Sequence, residues 1–289
     1  MPELPEVETV RRGLFKLIVG KKIRTVSSDT ARSFPNAAHD VEQFLIGSTV
    51  KDVRRRAKVL MIDLSTNYTL VIHLKMTGQL VFVGKSKRFG AGHPNDSLVD
   101  TLPDKSTRVT FDFNDGSRLY FNDQRKFGWV RLIPTPEVPN IDFMKKVGPE
   151  PLESDFTAKQ FAERFKRRAR TTIKAALLDQ TVIAGVGNIY ADESLWGAKI
   201  HPSRLVESIT GAEFKRLYTE VRAVMNLSIE KGGSTNRNYV NAEGKKGSYM
   251  DFARVFRREG LACPRCGTTI IKIKVAGRGT HICPHCQQL

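Results

Sequence analysis

The stretch KVLMIDLSTNYTLVIHLKMTGQLVFV, residues 58–83, decides the architecture of the N-terminal half. It holds three short runs, 58–64, 68–74 and 79–83, rich in β-branched and aromatic residues and broken by turn residues. Such runs fit a pleated, half-buried surface and read as strands. The pattern recurs at 22–28, 108–113, 118–121 and 129–132, with the hairpin-type turn Asn114-Asp115-Gly116 between two of them. Short strands in succession predict an antiparallel sandwich rather than a parallel α/β sheet. Upstream lies one helix. Pro5 suits its first position, Glu6 and Glu8 complement its positive end, Val7, Val10, Leu14, Leu17 and Ile18 form an apolar stripe, and Gly20 is its stop. Downstream, Pro134, Pro136, Pro139, Pro149 and Pro151 mark a linker. The periodicity then turns helical at 154–165, 172–178, 188–196 and 212–230, before a long polar loop at 232–251. The expected division is 1–133, a linker at 134–151, 152–250 and 251–289.

The 289 residues carry 47 Lys+Arg against 30 Asp+Glu, a formal charge of +17. Such a field attracts polyanions or anionic membrane surfaces without choosing between them. No run of 18 apolar residues exists, which argues against a transmembrane helix. The N-terminus carries three Glu before its first Arg, unlike a signal peptide. The four cysteines all fall in the last 27 residues, so the expectation is a reducing cytosol and not disulfide staples.

Those cysteines, Cys263, Cys266, Cys283 and Cys286, follow C-x2-C-x16-C-x2-C. Two knuckles supply four thiolates to one tetrahedral Zn2+, and a closed site of this kind is structural rather than catalytic. Between the knuckles, 270–275 and 280–282 read as a hairpin with a turn at Gly277-Arg278-Gly279. Arg278 at that tip is either a phosphate contact or a solvated charge, and spacing does not choose. Arg164, Lys166, Arg167, Arg168, Arg170 and Lys174 crowd eleven residues, and Gly185-Val186-Gly187-Asn188 opens the next helix. Glycines let backbone approach a phosphate, and helix N-terminal amides bind anions. A solvated helix face is the alternative.

The chain start, Pro2-Glu3-Leu4-Pro5-Glu6-Val7-Glu8, has two readings: Pro2 is simply the residue next to a removed Met, with no role, or it offers chemistry. Removal of Met1 leaves Pro2 with a secondary amine. Attack on an aldehyde carbon by such an amine gives an iminium, an electron sink. The adjacent Glu3 can supply general acid and base.

PELPEVETVRRGL at 2–14, the strand after Lys58, HLKMTG at 73–78, FNDQRKFG at 121–128, GVGNIYADE at 185–193 and the four-cysteine hairpin together resemble the formamidopyrimidine-DNA glycosylase family, the bacterial 8-oxoguanine DNA glycosylase/AP lyases. The resemblance runs in order along the whole chain. It implies an α+β protein: an N-terminal antiparallel β-sandwich flanked by helices, then a helix-two-turn-helix domain with a β-hairpin zinc finger. The implied catalytic residues are Pro2, Glu3, Glu6, Lys58 and Arg278. Pro2 would form the Schiff base, Glu3 would shuttle protons, Glu6 would assist the amine and sugar, Lys58 would take part in β-elimination and Arg278 in δ-elimination. Met76, Arg125 and Phe127 would fill the gap left by a flipped base, with Arg125 on the orphaned cytosine. Arg170, Lys174 and Asn188 would hold phosphate, and the 232–251 loop would close over the flipped base. Ser106 stands at a DNA-contact position where relatives often carry His or Tyr, and Gln124 replaces a common Pro. The implied partner is duplex DNA with oxidised purines or abasic sites, the cofactor one structural Zn2+, the state a monomer, and the location the bacterial cytoplasm and nucleoid. Leu4 sets the terminus apart from the oxidised-pyrimidine branch, which usually reads Pro-Glu-Gly-Pro. A non-enzymatic DNA-binding protein is the other alternative, disfavoured by the intact Pro2-Glu3 pair and Lys58.

Overall fold

The computed structural model describes residues 2–93, 96–234 and 249–289. They fall into two compact units, Met1–Lys145 with Lys231–Ser248, and Lys146–Glu230 with Tyr249–Leu289.

The first unit opens with α1 (Leu4–Ile18). The strands β1 (Ile23–Ser28), β7 (Thr107–Phe113), β8 (Arg118–Asp123), β5 (Gly78–Val83) and β6 (Arg88–Gly92) form a five-stranded sheet in that order. A second sheet has the order β2 (Val50–Arg56), β3 (Val59–Leu64), β4 (Tyr68–His73), β9 (Trp129–Pro134). Every pairing is antiparallel. One turn of helix, α2 (Ala38–Asp40), lies between β1 and β2.

The alternation in β3 explains why its sequence is apolar throughout. Leu60, Ile62 and Leu64 face the main core with Phe82, Phe111 and Phe121, while Val59 and Met61 pack outward on Val138, Phe143 and Met144. A strand covered on both faces has no polar side to show. The α1 stripe of Val7, Val10, Leu14 and Ile18 joins the main core. Gly13 faces the Phe89 ring of β6, and a Cβ there would lie 2.1–2.7 Å from ring carbons.

Three elements differ from expectation. β2 was hidden because Arg54, Arg55 and Arg56 read as a charge run, and β6 because it is glycine-rich. The proline-rich segment read as a linker carries regular structure. It forms a 3-10 helix at Thr135–Asn140 and a short α3 (Asp142–Lys146), which cover the outer face of β3 and β4.

The second unit contains α4 (Ala158–Lys166), α5 (Ile173–Leu178), α6 (Asn188–Ala198) and α7 (Gly211–Glu230). α4 starts four residues later than the apolar pattern suggests, because Thr157 and Gln160 form a capping box that fixes its first turn. The hairpin β10 (Ile271–Val275) and β11 (Arg278–Ile282) closes the chain. Its turn is Ala276-Gly277, both with positive φ, of the kind that matches strand twist. Arg278 is therefore the first residue of β11, paired with Val275, and not the tip between two glycines.

Candidate functional site

The chain start is not frayed. Pro2 is buried and Glu3, 4% exposed, is the N-cap of α1. One oxygen of the Glu6 carboxylate accepts the Glu3 backbone N–H at 2.8 Å, and the other accepts the Ser234 backbone N–H at 2.8 Å. Glu6 thus acts on the terminus as a clamp. Two residues on, Glu8 accepts from Arg11, Arg12 and, at 3.2 Å, from Arg55 at the end of β2. Burial raises its pKa, but the hydrogen bonds and charges of these arginines outweigh it and hold the carboxyl below its usual range. The Glu8–Arg55 pair ties α1 to the two-residue turn Ala57-Lys58. Lys58 is buried, 4% exposed. Its charge reaches His73, opposite Val59: burial first, then Lys75 and Lys58, push that imidazole down to about 3. His73 is thus neutral, and its Nδ1 accepts the Lys75 N–H at 3.0 Å.

A second cluster follows from the pairing of β5 with β8 at Gly78 and Asp123, which makes neighbours of the turns carrying Met76 and Arg125. Met76 and Phe127 are 37% and 42% exposed. Both side chains are held outward beside the Arg125 turn. The Arg125 guanidinium lies 4.8 Å from the Phe127 ring centre and that of Arg32 lies 5.9 Å away. The residue that builds this turn is one the sequence reading passed over. Asp123, fully buried, accepts from Thr77 Oγ1, from the Arg125 N–H at 3.2 Å and from the Gly128 N–H at 2.6 Å. The only signal for it was an Asp inside an aromatic strand end. Ser106 is corrected: it is buried, and its hydroxyl bonds Asp104 at 2.7 Å and Ser97 at 3.1 Å, so it offers no side chain to DNA here.

In the second unit the basic run divides. Arg164 bonds the Thr181 and Val182 carbonyls, Lys166 pairs with Glu163, and Arg168 pairs with Asp179. Arg167 and Arg170 are exposed. Lys174 requires a correction. It is fully buried, its Nζ donating to Asp192 at 2.5 Å, Thr280 Oγ1 at 2.7 Å and the Gly279 carbonyl at 3.3 Å. It docks the hairpin instead of touching phosphate directly. The other Asp192 oxygen accepts the His281 N–H at 2.9 Å. Asn188, the first residue of α6, donates to the same Gly279 carbonyl at 3.1 Å, beside the exposed Arg278. Of the 232–251 loop, residues 235–248 lie outside the described residues.

The four cysteine sulfurs lie within 4.8 Å of one another, with Cys266–Cys283 and Cys266–Cys286 at 3.5 Å and Cys263–Cys286 at 4.0 Å. Four sulfurs about 2.3 Å from one Zn2+ in a tetrahedron stand about 3.8 Å apart. The cluster fits one structural zinc. The Cys286 N–H donating to Cys283 Sγ at 3.4 Å gives the second knuckle its turn.

Comparison with known proteins agrees along the chain. Residues 1–130 match the formamidopyrimidine-DNA glycosylase N-terminal domain, 147–240 its H2TH domain, and 260–289 the zinc finger found in FPG and IleRS. Formamidopyrimidine-DNA glycosylases of Pediococcus pentosaceus and Streptococcus mutans are each 42% identical over 289 residues, covering both chains fully. A Lactococcus lactis FPG mutant in complex with Fapy-dG-containing DNA superposes with a TM-score of 0.87 at 38% identity over both whole chains. The Lactococcus lactis Fpg complex with abasic-site DNA gives 0.86 at 37%, covering 99% of this chain and all of that one. Identity of this level over the full length places the chain in the formamidopyrimidine-DNA glycosylase family.

Proposed function

We propose that this protein is a base excision repair enzyme, a bifunctional DNA glycosylase/AP lyase that removes 8-oxoguanine and formamidopyrimidines from duplex DNA and then cuts the strand. The observation that carries this reading is a chain start buried and clamped where an ordinary terminus would fray. A nucleophile needs a fixed line of attack, and Glu6 fixes the backbone of the residue beside it.

In this reading the Pro2 amine, freed by loss of Met1, attacks C1′ of the damaged nucleotide. The bond from C1′ to the base breaks, and the amine loses its proton. Glu3 protonates O4′ as the nitrogen lone pair breaks the C1′–O4′ bond, which opens the sugar to an iminium and acidifies C2′. Loss of a C2′ proton expels the 3′ phosphate, with Lys58 taking part. A second elimination, supported by Arg278, expels the 5′ phosphate. Met76, Arg125 and Phe127 fill the space of the extruded nucleotide. Arg170, Arg278 and the Asn188 turn hold phosphates, with Lys174 keeping the hairpin against that turn. Zinc supplies no step; it holds the hairpin closed.

Borohydride trapping tests this. Wild-type protein on an 8-oxoguanine·C duplex is expected to give a covalent protein–DNA adduct that Pro2→Gly and Glu3→Gln abolish. Absence of a wild-type adduct on both oxidised-purine and abasic duplexes refutes the enzyme, and a stronger adduct on oxidised-pyrimidine duplexes refutes the substrate. Intact-mass measurement showing Met1 retained would exclude the Pro2 amine.

A further inference from the structure

The indole of Trp196, on α6, sits in surroundings that the proposed reaction does not use. It is 5% exposed and packs in one apolar cluster with Val255, Cys263, Ile270 and Cys283. Two guanidinium groups lie over its ring, Arg265 at 3.9 Å and Arg254 at 4.9 Å from the centre. Arg265 belongs to the first zinc knuckle and also donates to the Trp196 carbonyl at 3.1 Å. Arg254 is fixed in turn by Glu193 and Glu220. The ring is therefore held in place against the knuckle.

Its Nε1, however, is buried and lacks a well-formed hydrogen bond among the described residues. An unmatched buried N–H costs about 1–3 kcal/mol, and buried tryptophans normally sit where that group finds a partner. The acceptor at hand is the Cys263 sulfur, which lies in the same buried cluster as the indole. A neutral thiol is a weak acceptor, whereas a thiolate bound to zinc is a charged one.

We propose that Trp196 is a positioning residue of the zinc site, its Nε1–H donating to the Cys263 thiolate once Zn2+ is bound. The hydrogen bond neutralises part of the sulfur's charge without removing it from the metal, which makes protonation and loss of that ligand harder. It also joins the metal to α6, the helix that begins at Asn188. The bound ion then stiffens the helix end as well as the hairpin.

Trp196→Phe keeps a smaller aromatic ring for the guanidinium groups and removes the N–H together with the five-membered ring of the indole, so zinc affinity alone does not separate the hydrogen bond from packing and the metal spectra do. Competition with a chromogenic chelator is expected to show zinc held about tenfold or more weakly. In the cobalt-substituted protein the thiolate-to-metal charge-transfer bands are expected to move to lower energy, a change that loss of packing alone does not cause. Zinc affinity within twofold of wild type together with unmoved cobalt bands would overturn the proposal. The wild-type protein loaded with 113Cd gives a reading that needs no variant. The Trp196 indole proton is expected to couple to cadmium across the hydrogen bond, with Trp129 as the uncoupled control. No coupling, with the Trp196 proton exchanging as fast as that of Trp129, would also overturn it.

Discussion

Replacing Asp123 by Asn tests whether the exposed wedge is held by one carboxylate. The side chains are nearly isosteric, so packing changes little. The amide, however, offers one acceptor atom where the carboxylate offers two. Asp123 Oδ1 receives Thr77 Oγ1 and the Arg125 N–H, and Oδ2 receives the Gly128 N–H. Whichever way the amide turns, an NH2 group meets a donor. Hydrogen bonds to a charged acceptor contribute about 1.5–3 kcal/mol, and an orphaned buried donor costs about 1–3 kcal/mol. A loss of about 2–4 kcal/mol of order in the 124–128 turn follows, which is roughly 30- to 1000-fold in the population of the competent turn. The assay places 2-aminopurine beside the lesion and follows base extrusion by stopped-flow fluorescence. The extrusion step is expected to slow within that range, while borohydride trapping on a single-stranded abasic oligonucleotide, which needs no wedge, stays near wild type. Thr77→Ala removes one donor to Asp123 and the Oγ1 that shares the Arg125 N–H at 3.1 Å, but leaves that N–H and the Gly128 N–H on the carboxylate, so its effect is expected to be about tenfold. An Asp123→Asn protein that extrudes the base at the wild-type rate would refute the reasoning.

Arg170 and Lys174 are expected to part company in a salt titration. Arg170→Ala should lower the slope of log K against log salt by about 0.9, whereas Lys174→Ala should leave the slope and instead cost about 3–5 kcal/mol of stability, because it strands Asp192. Stability is expected to fall on acidification because His73 is depressed from its ordinary value of 6.5 to about 3. Between those values the unfolded chain binds a proton that the native one refuses, so stability rises with pH there and is fully present above 6.5. His73→Phe should remove up to about 1.4 kcal/mol per pH unit of that slope in denaturant melts at pH 4 to 6. Zinc removal by chelation should weaken duplex binding and lower the melting temperature of the second unit, read by calorimetry, with both restored by Zn2+.

Alternation and spacing are local properties, and what depended on them was legible. The strands around 58–83, the α1 stripe and the cysteine knuckles all follow from residues a few positions apart. Depth is not local. Lys174 sits in a basic run and Ser106 in a polar one, and nothing in either run tells that one meets Asp192 and the other Asp104 in the interior. The same holds for Arg164 and Arg168, which the sequence offers as a phosphate grip and the fold turns towards carbonyls and Asp179. Asp123 was missed for the converse reason. Its importance lies in three donors that come from separate positions once β5 and β8 are paired.

The formal charge of +17 therefore misdescribes the surface in an instructive way. Several acids are withdrawn into the interior as acceptors for backbone N–H groups. Glu6 holds Glu3 and Ser234, Asp123 holds Arg125 and Gly128, and Asp192 holds His281. Glu193, fully buried, receives the N–H groups of Arg254, Val255 and Phe256. Such anions fix turns in low-dielectric surroundings where salt screens little, while exposed cations such as Arg125, Arg167, Arg170 and Arg278 are left for solvent and polyanion. Acids that shape the turns and bases that meet the phosphates thus answer to salt differently. Raising ionic strength should release DNA long before it loosens the clamps, so the isolated protein's melting temperature should barely move across a salt range that abolishes duplex binding. A melting curve that falls in step with binding would mean that the carboxylate clamps are surface pairs after all.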